Sequence, residues 1–183
     1  VYTLGNASKQ DTVWCLDALT GKEIWKYSYA AELGPQYYEG GPGSTPTVDG
    51  NRVFTISKWG DVLCLDAGRG TILWQRDLRK DGLKPNRWGF AGSPLVWRDL
   101  VILNAGAAGP ALARTTGRVV RSNATTGARY PSPTLFKSGG NTIMVQDTLV
   151  AASATATPVS VVAGNTVTIA GTALTATQKR ATG

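Results

Sequence analysis

Two stretches of this chain repeat each other in phase, TVWCLDALTGKEIWK at residues 12–26 and DVLCLDAGRGTILWQ at residues 61–75. Each stretch contains an aspartate, a glycine and a tryptophan at the same three places, and each of the three recurs 49 residues later. The pairs are Asp17 and Asp66, Gly21 and Gly70, and Trp25 and Trp74. Self-similarity at a period of about 20–50 residues is typical of solenoids, propellers and arrays. We therefore expect a repeat protein.

A second landmark, a short proline-containing segment, precedes each copy of the repeat. It reads STPTVDGNRVFTIS, then GSPLVWRDLVILN, then PSPTLFKSGGNTIMV, and its prolines are Pro46, Pro94 and Pro133. These prolines are 48 and 39 residues apart, so the third unit is shorter than the second. Two independent landmarks thus give the same phasing.

The repeat weakens toward the C-terminus. In a third copy, GPALARTTGRVVRS, Gly117 is kept but Arg121 replaces the tryptophan, and in a fourth trace, LVAASATATPVS, nothing diagnostic survives. Residues 151–183 are rich in alanine and threonine and contain no aromatic residue. Drift of a last repeat, an unrelated tail and a reading-frame error would all give this pattern. We divide the chain into repeats over residues 1–145 and a degenerate repeat or tail over residues 146–183.

Each unit has the pattern of four short strands separated by turns, which predicts an all-β protein. In the second unit the predicted strands cover residues 47–48, 52–57, 61–66 and 71–76. The continuous apolar run at residues 62–65 indicates a strand that is buried on both faces. Such a strand suits a small sheet that is packed between neighbouring sheets of an all-β array.

Composition excludes several classes of site and partner. The chain has no histidine, which removes the commonest metal ligand and general base. Its net charge of +7 comes mainly from the middle of the chain, but those basic residues are spread over several elements with few aromatics between them, so we expect no nucleic-acid partner. No apolar run approaches the length of a transmembrane helix. Cys15 and Cys64 lie in equivalent positions, where we expect small buried residues and no disulfide.

The pattern A/C-L-D-A-x-T-G-K-x-x-W resembles the tryptophan-docking motif of the pyrroloquinoline-quinone-like (PQQ-like) repeat propellers. The resemblance is strong over residues 1–97 and weak beyond residue 145. It implies a partial β-propeller of about three to four four-stranded antiparallel blades, with the last blade eroded. It also implies that each tryptophan lies across the glycine turn of an adjacent blade. Trp25 and Trp74 would then be structural, with Gly21 and Gly70 as their platforms.

The family resembled contains quinone-dependent dehydrogenases, an outer-membrane assembly lipoprotein and secreted bacterial propellers of unassigned role. The dehydrogenases use calcium held by acidic and amide side chains, and the candidate oxygen ligands here, Glu39, Asn86 and Asn104, match no motif of that set. We therefore expect a non-catalytic scaffold or binding module, without a cofactor, in the periplasm or outside the cell. The alternative is a fragment of a quinone-dependent dehydrogenase that binds PQQ with calcium.

Two long connections, residues 29–44 and 77–92, carry the candidate site, because ligands of β-propellers bind where loops converge. One loop offers Tyr38 and Glu39, and the other offers Arg87 and Trp88. These residues would contact a protein or a small-molecule ligand. The alternative is that the loop aromatics, which include Phe90, pack their own loops and that Glu39 and Arg87 neutralise each other. Because so short a chain cannot close a ring, we also expect self-association through open blade edges.

Overall fold

A computed structural model describes residues 1–34, 40–106, 109–122, 130–138, 141–145, 167–168 and 179–180. Within these ranges the chain forms antiparallel sheets and no helix. The all-β prediction is therefore confirmed.

The sheets follow one another along the chain as successive blades. Blade 1 has three strands, β1 (Tyr2–Ala7), β2 (Gln10–Leu16) and β3 (Glu23–Ala30). Blade 2 has four, β4 (Thr47–Asp49), β5 (Arg52–Ile56), β6 (Asp61–Asp66) and β7 (Ile72–Asp77). Blade 3 also has four, β8 (Leu95–Trp97), β9 (Leu100–Ile102), β10 (Ala111–Ala113) and β11 (Val119–Arg121).

Two smaller antiparallel pairs complete the described strands. In the first, β12 (Thr134–Ser138) pairs with β13 (Asn141–Val145), and in the second, β14 (Val167–Thr168) pairs with β15 (Lys179–Arg180). The predicted strands of the second unit all form, each within one residue of its expected bounds. Sheets of four strands that do not close into a ring make a partial β-propeller, as predicted. The division of the chain at residue 146 stays a prediction.

The aspartate of the repeat shapes the turn between the last two strands of a blade. Asp17 Oδ1 accepts hydrogen bonds from the backbone N–H of Leu19 (3.1 Å) and of Thr20 (2.7 Å), and Asp66 Oδ1 does the same for the two residues equivalent to them. Gly21 and Gly70 then end the turn at φ of 68° and 70°, a conformation that favours glycine. The repeated sequence thus gives the same turn twice.

The third copy forms this turn without the aspartate. Gly117 has φ of 67°, and its N–H donates to Ala113 O at 2.8 Å, as the N–H of Gly70 donates to Asp66 O at the same distance. The glycine and the backbone hydrogen bond are therefore enough to close the turn of an eroded blade.

The proline landmark begins the innermost strand of each blade, and polar side chains link one such strand to the next. The backbone N–H of Thr45 donates to Ser93 Oγ, and that of Ser93 donates to Ser132 Oγ, both at 2.8 Å. Thr47 Oγ1 also donates to Pro94 O at 2.6 Å. Residues that are 48 or 39 positions apart in the sequence therefore lie side by side at the inner edges of neighbouring blades.

Two apolar clusters hold neighbouring blades together. The first lies between blades 1 and 2, and its buried members are Val13, Cys15, Trp25, Val53, Leu63 and Leu65. The second lies between blades 2 and 3 and includes Phe54, Trp74 and Leu112. Residues 62–65 supply side chains to both clusters and are at most 3% exposed, which confirms the strand predicted to be buried on both faces. Cys15 and Cys64 are buried and unbridged, also as predicted.

Each of the two repeated tryptophans lies on the glycine turn of the next blade. Trp25 Nε1 donates to Ala67 O in blade 2 at 2.9 Å, and a Cβ added to Gly70 would lie 2.5 Å from Trp25 Cε3. Trp74 repeats this arrangement on blade 3, where a Cβ on Gly117 would lie 2.5 Å from Trp74 Cε3. Only a residue without a side chain allows so close an approach.

One of the two expected platforms is corrected by this geometry. Gly70 supports an indole, but a Cβ on Gly21 would meet nothing within 4 Å. The reason is the direction of docking, because the tryptophan of each blade contacts the blade that follows it in the sequence. Gly117, and not Gly21, is therefore the platform of Trp74.

Replacement of either repeated tryptophan should destabilise the chain strongly. Trp25 and Trp74 are 9% and 7% exposed, so we expect Trp25→Ala and Trp74→Ala each to cost about 3–5 kcal/mol, as other large core truncations do. Trp88, which is half-buried in a loop, serves as the matched control, and Trp88→Ala should cost much less. Denaturant melts measure all three. Equal losses at the three positions would show that the repeated indoles have no special role.

Candidate functional site

Long loops and short turns gather at one end of the blades. There, the outermost strand of one blade leads into the innermost strand of the next, through residues 31–46, of which 31–34 and 40–46 are described, and through residues 78–94. The turn between β5 and β6, residues 57–60, lies at the same end, because the start of β4 is opposite the end of β5. We call these three segments the loop face.

Lys58 links the loops of this face and was not singled out by the sequence. Its side chain is 2% exposed, and Nζ donates to Gly34 O in the first long loop. Its carbonyl accepts the N–H of Phe90 from the second long loop at 2.9 Å. A lysine is rarely buried unless it is paired. Lys58 thus fastens two connections to one turn.

The aromatic residues of the second loop have different surroundings. Phe90 is 1% exposed and packs in the core between blades 2 and 3, where a Cβ on Gly60 would lie 2.9 Å from its ring. Trp88 is half-buried, and the guanidinium of Arg87 lies 5.7 Å from its ring centroid, within reach of a cation–π contact. Phe90 therefore holds its own loop, while Arg87 and Trp88 lie together nearer the solvent.

Two of the four residues predicted to form a ligand surface lie outside the described residues. These are Tyr38 and Glu39, so neither their position beside Arg87 and Trp88 nor the neutralisation of Glu39 by Arg87 is tested. The surface formed by Tyr38, Glu39, Arg87 and Trp88 stays a prediction.

The candidate oxygen ligands Asn86 and Asn104 both bind backbone groups of loops. Asn86 Oδ1 accepts the N–H of Trp88 at 2.9 Å. Asn104 is 4% exposed, and its amide nitrogen donates to Pro131 O at 2.6 Å. The third candidate, Glu39, lies outside the described ranges. Among the residues that can be placed, no group of three or more carboxylates and thiols is arranged to hold a metal ion.

A second buried polar group, which the sequence did not reveal, lies between blades 1 and 2. Asp11 is 1% exposed and accepts hydrogen bonds from Asn6 Nδ2 (2.7 Å) and from the hydroxyl of Tyr29 (3.3 Å). Burial raises the pKa of the Asp11 carboxyl, although both hydrogen bonds act in the opposite direction. Burial, together with the nearby charges of Asp11 and Asp61, raises the pKa of Tyr29. The Tyr29 hydroxyl therefore stays protonated and donates to Asp11.

Several basic residues of the middle of the chain are paired with aspartates. Arg79 binds Asp61 at 2.8 Å and Asp77 at 2.7 Å, and Arg76 binds Asp81. Arg114, in blade 3, reaches back to Asp49 at 2.5 Å. These pairs join turns and blades. Part of the positive charge seen in the sequence is therefore neutralised by ion pairs within the fold.

Comparisons with known proteins agree with this architecture. The family model described as "Outer membrane protein assembly factor BamB" matches residues 8–182. No curated protein matches the chain. In the described part of the chain, no helix is long and apolar enough to cross a bilayer.

Solved structures of β-propellers resemble the chain in fold. BamB from Moraxella catarrhalis matches with a TM-score of 0.51 and 17% identity, over 92% of this chain and 42% of that one. The quinohemoprotein alcohol dehydrogenase ADHIIG from Pseudomonas putida HK5 matches with a TM-score of 0.50 and 13% identity, over 92% of this chain and 31% of that one. A europium-containing methanol dehydrogenase matches with a TM-score of 0.49 and 21% identity, over 66% of this chain and 22% of that one. The chain thus spans less than half the length of each of these structures.

Proposed function

Since the chain belongs to the PQQ-like repeat family whose model is described as "Outer membrane protein assembly factor BamB", we propose that it is a non-catalytic β-propeller scaffold or binding module. The observation that carries this proposal is the use of polar side chains to hold the backbone of the loops. Lys58, Asn86 and Asn104 each hold a backbone group of a loop. Catalytic groups must instead point at a substrate.

The partner-binding surface in this proposal is the part of the loop face around Arg87 and Trp88, with Tyr38 and Glu39 beside it. Tryptophan and arginine are the residue types that contribute most to the binding energy of protein interfaces. The cation–π contact between Arg87 and Trp88 fixes both side chains before a partner arrives, which lowers the entropy cost of binding. A protein or a small molecule therefore fits this surface.

We place the protein in the periplasm or outside the cell. Support comes from the description of the matching family, which names the outer membrane. The quinone-dependent dehydrogenase remains the second candidate function, and it would require PQQ and calcium at the loop face.

Quinone binding separates the two functions. We expect no saturable change when the chain is titrated with PQQ and calcium and followed by absorbance and by calorimetry, and no dye-linked oxidation of alcohols or sugars. The reason is that the two described amides that could serve as ligands are each held by a loop, Asn86 through its amide oxygen and Asn104 through its amide nitrogen. The contrary result is calcium-dependent binding of the quinone that is lost in Asn104→Ala and kept in Ser93→Ala. That result would establish the dehydrogenase function.

Self-association is the partner interaction that the described strands support most directly. Asn6 in β1 is equivalent to Thr55 in β5, 49 residues later, so β1 is the second strand of its blade. In blade 2 this strand pairs with β4, but in blade 1 the same edge of β1 has no partner strand among the described residues. Unpaired backbone groups on an edge strand pair readily with another chain.

A charge beside this edge should weaken the association. We expect light scattering to give a mass above the 19.3 kDa of one chain, and we expect Thr3→Lys in β1 to shift it toward that value, because a lysine on an edge strand opposes pairing. Thr71→Lys is the matched control, since Thr71 is equally exposed but lies in the turn before β7. A mass of 19.3 kDa for the unchanged chain, or equal masses for the two variants, would rule out pairing through β1.

A further inference from the structure

A cleft of about 520 Å³ lies between blades 1 and 2, and neither Arg87 nor Trp88 lines it. One wall is β3, which contributes Tyr27 and Tyr29. The other wall is formed by β6, β7 and the turn after β7. The volume of the cleft lies within the range of about 300–1,000 Å³ that is typical of small-molecule sites.

The aromatic wall departs from the repeat. Counting 49 residues forward, Tyr27 and Tyr29 correspond to Arg76 and Leu78 in blade 2. Leu78 is fully buried in the core with Phe90, and Arg76 pairs with Asp81. The structural repeat therefore does not require tyrosines at these two positions, and their presence in blade 1 needs a separate explanation.

The two tyrosines form a continuous aromatic surface. Their ring centroids are 6.2 Å apart, and the ring planes differ by 28°. The hydroxyl of Tyr29 is held by Asp11 at the buried end. The second ring, that of Tyr27, is half-buried. Such a surface offers a flat apolar face on which another ring can stack.

The opposite wall carries charged groups of both signs, since its lining contains three carboxylates and the cations Arg76 and Lys80. Arg76 binds Asp81, while Arg79, which does not line the cleft, bridges Asp61 and Asp77. With Arg79 included, the three carboxylates are matched by three cations. A strongly charged ligand of either sign would meet like charges there, whereas a neutral ligand would not.

Donors and acceptors remain for a ligand on this wall. Among the described residues, neither the amide of Gln75 nor the ammonium of Lys80 has a hydrogen-bond partner. Asp77 uses Oδ1 for all its contacts with Arg79, which leaves Oδ2 as an acceptor. These groups can donate to and accept from hydroxyls.

We propose that this cleft binds one ring of a neutral saccharide, stacked on the tyrosine wall and hydrogen-bonded by the charged wall. A sugar ring has an apolar face and a rim of hydroxyls that both donate and accept. It therefore matches an aromatic surface opposite a wall of balanced charge. Neither Arg87 nor Trp88, which form the proposed partner-binding surface, lines this cleft, so its test is independent of the proposed function.

Calorimetric titration of the full chain with maltohexaose, cellohexaose and chitohexaose tests the proposal. We expect saturable binding of at least one of these neutral oligosaccharides, and weaker binding by about tenfold in Tyr27→Ala, which removes the stacking face. Tyr27→Phe keeps the ring and should bind nearly as the unchanged chain does. Tyr130→Ala, which removes an exposed tyrosine outside the cleft, is the matched control and should bind normally.

Three results would overturn the proposal. The first is that none of the three neutral oligosaccharides binds saturably. The second is that anionic oligogalacturonate binds more tightly than all of them. The third is that Tyr27→Ala, with a melting curve like that of Tyr27→Phe, binds as well as the unchanged chain does.

Discussion

The contact between an indole and a glycine turn is the interaction on which the rest of this structure depends. The indole of Trp25 covers Gly70 and donates to Ala67 O, so the last strand of one blade is fixed against the turn of the next. This contact needs a glycine at positive φ and an aspartate or backbone bond to shape the turn. The glycine and the aspartate both recur with the tryptophan after 49 residues. These three residue types at one spacing therefore define the fold. The apolar clusters between blades then form on either side of β6.

The packing between blades is regular and apolar. The polar groups therefore lie in the loops and at positions that depart from the repeat. At the loop face, Lys58 and Phe90 hold long connections to one short turn. Between blades 1 and 2, the pair formed by Tyr29 and Asp11 occupies positions where the next blade has Leu78 and Gly60. A repeat sequence can thus carry a site at one interface without disturbing the scaffold, since the contacts of the indole lie at the other end of the blade.

Much of the fold could be predicted from the sequence, because in-phase repeats fix strands and turns together. The four strands of blade 2 form within one residue of their predicted bounds. The direction of docking could not be predicted, since a repeat does not say whether Trp74 reaches back to Gly21 or forward to Gly117. Lys58, Asp11 and Tyr29 were missed because none of them recurs, and only the fold brings Asp11 to Tyr29. Of the predicted ligand surface, the structure describes Arg87 and Trp88 and leaves Tyr38 and Glu39 as predictions.

A double-mutant cycle between Trp25 and Gly70 tests the central claim most directly, with the free energy of unfolding as the measurement. Gly21→Ala places a side chain at nearly the same φ but against nothing, and it should cost about 1–2 kcal/mol. Gly70→Ala should cost about 1–3 kcal/mol more than that, because its Cβ meets the indole. In a Trp25→Ala background this excess should disappear, and the cost of Gly70→Ala should fall to that of Gly21→Ala. Equal costs of Gly70→Ala in the two backgrounds would contradict the claim that the indole and the glycine turn hold the blades together.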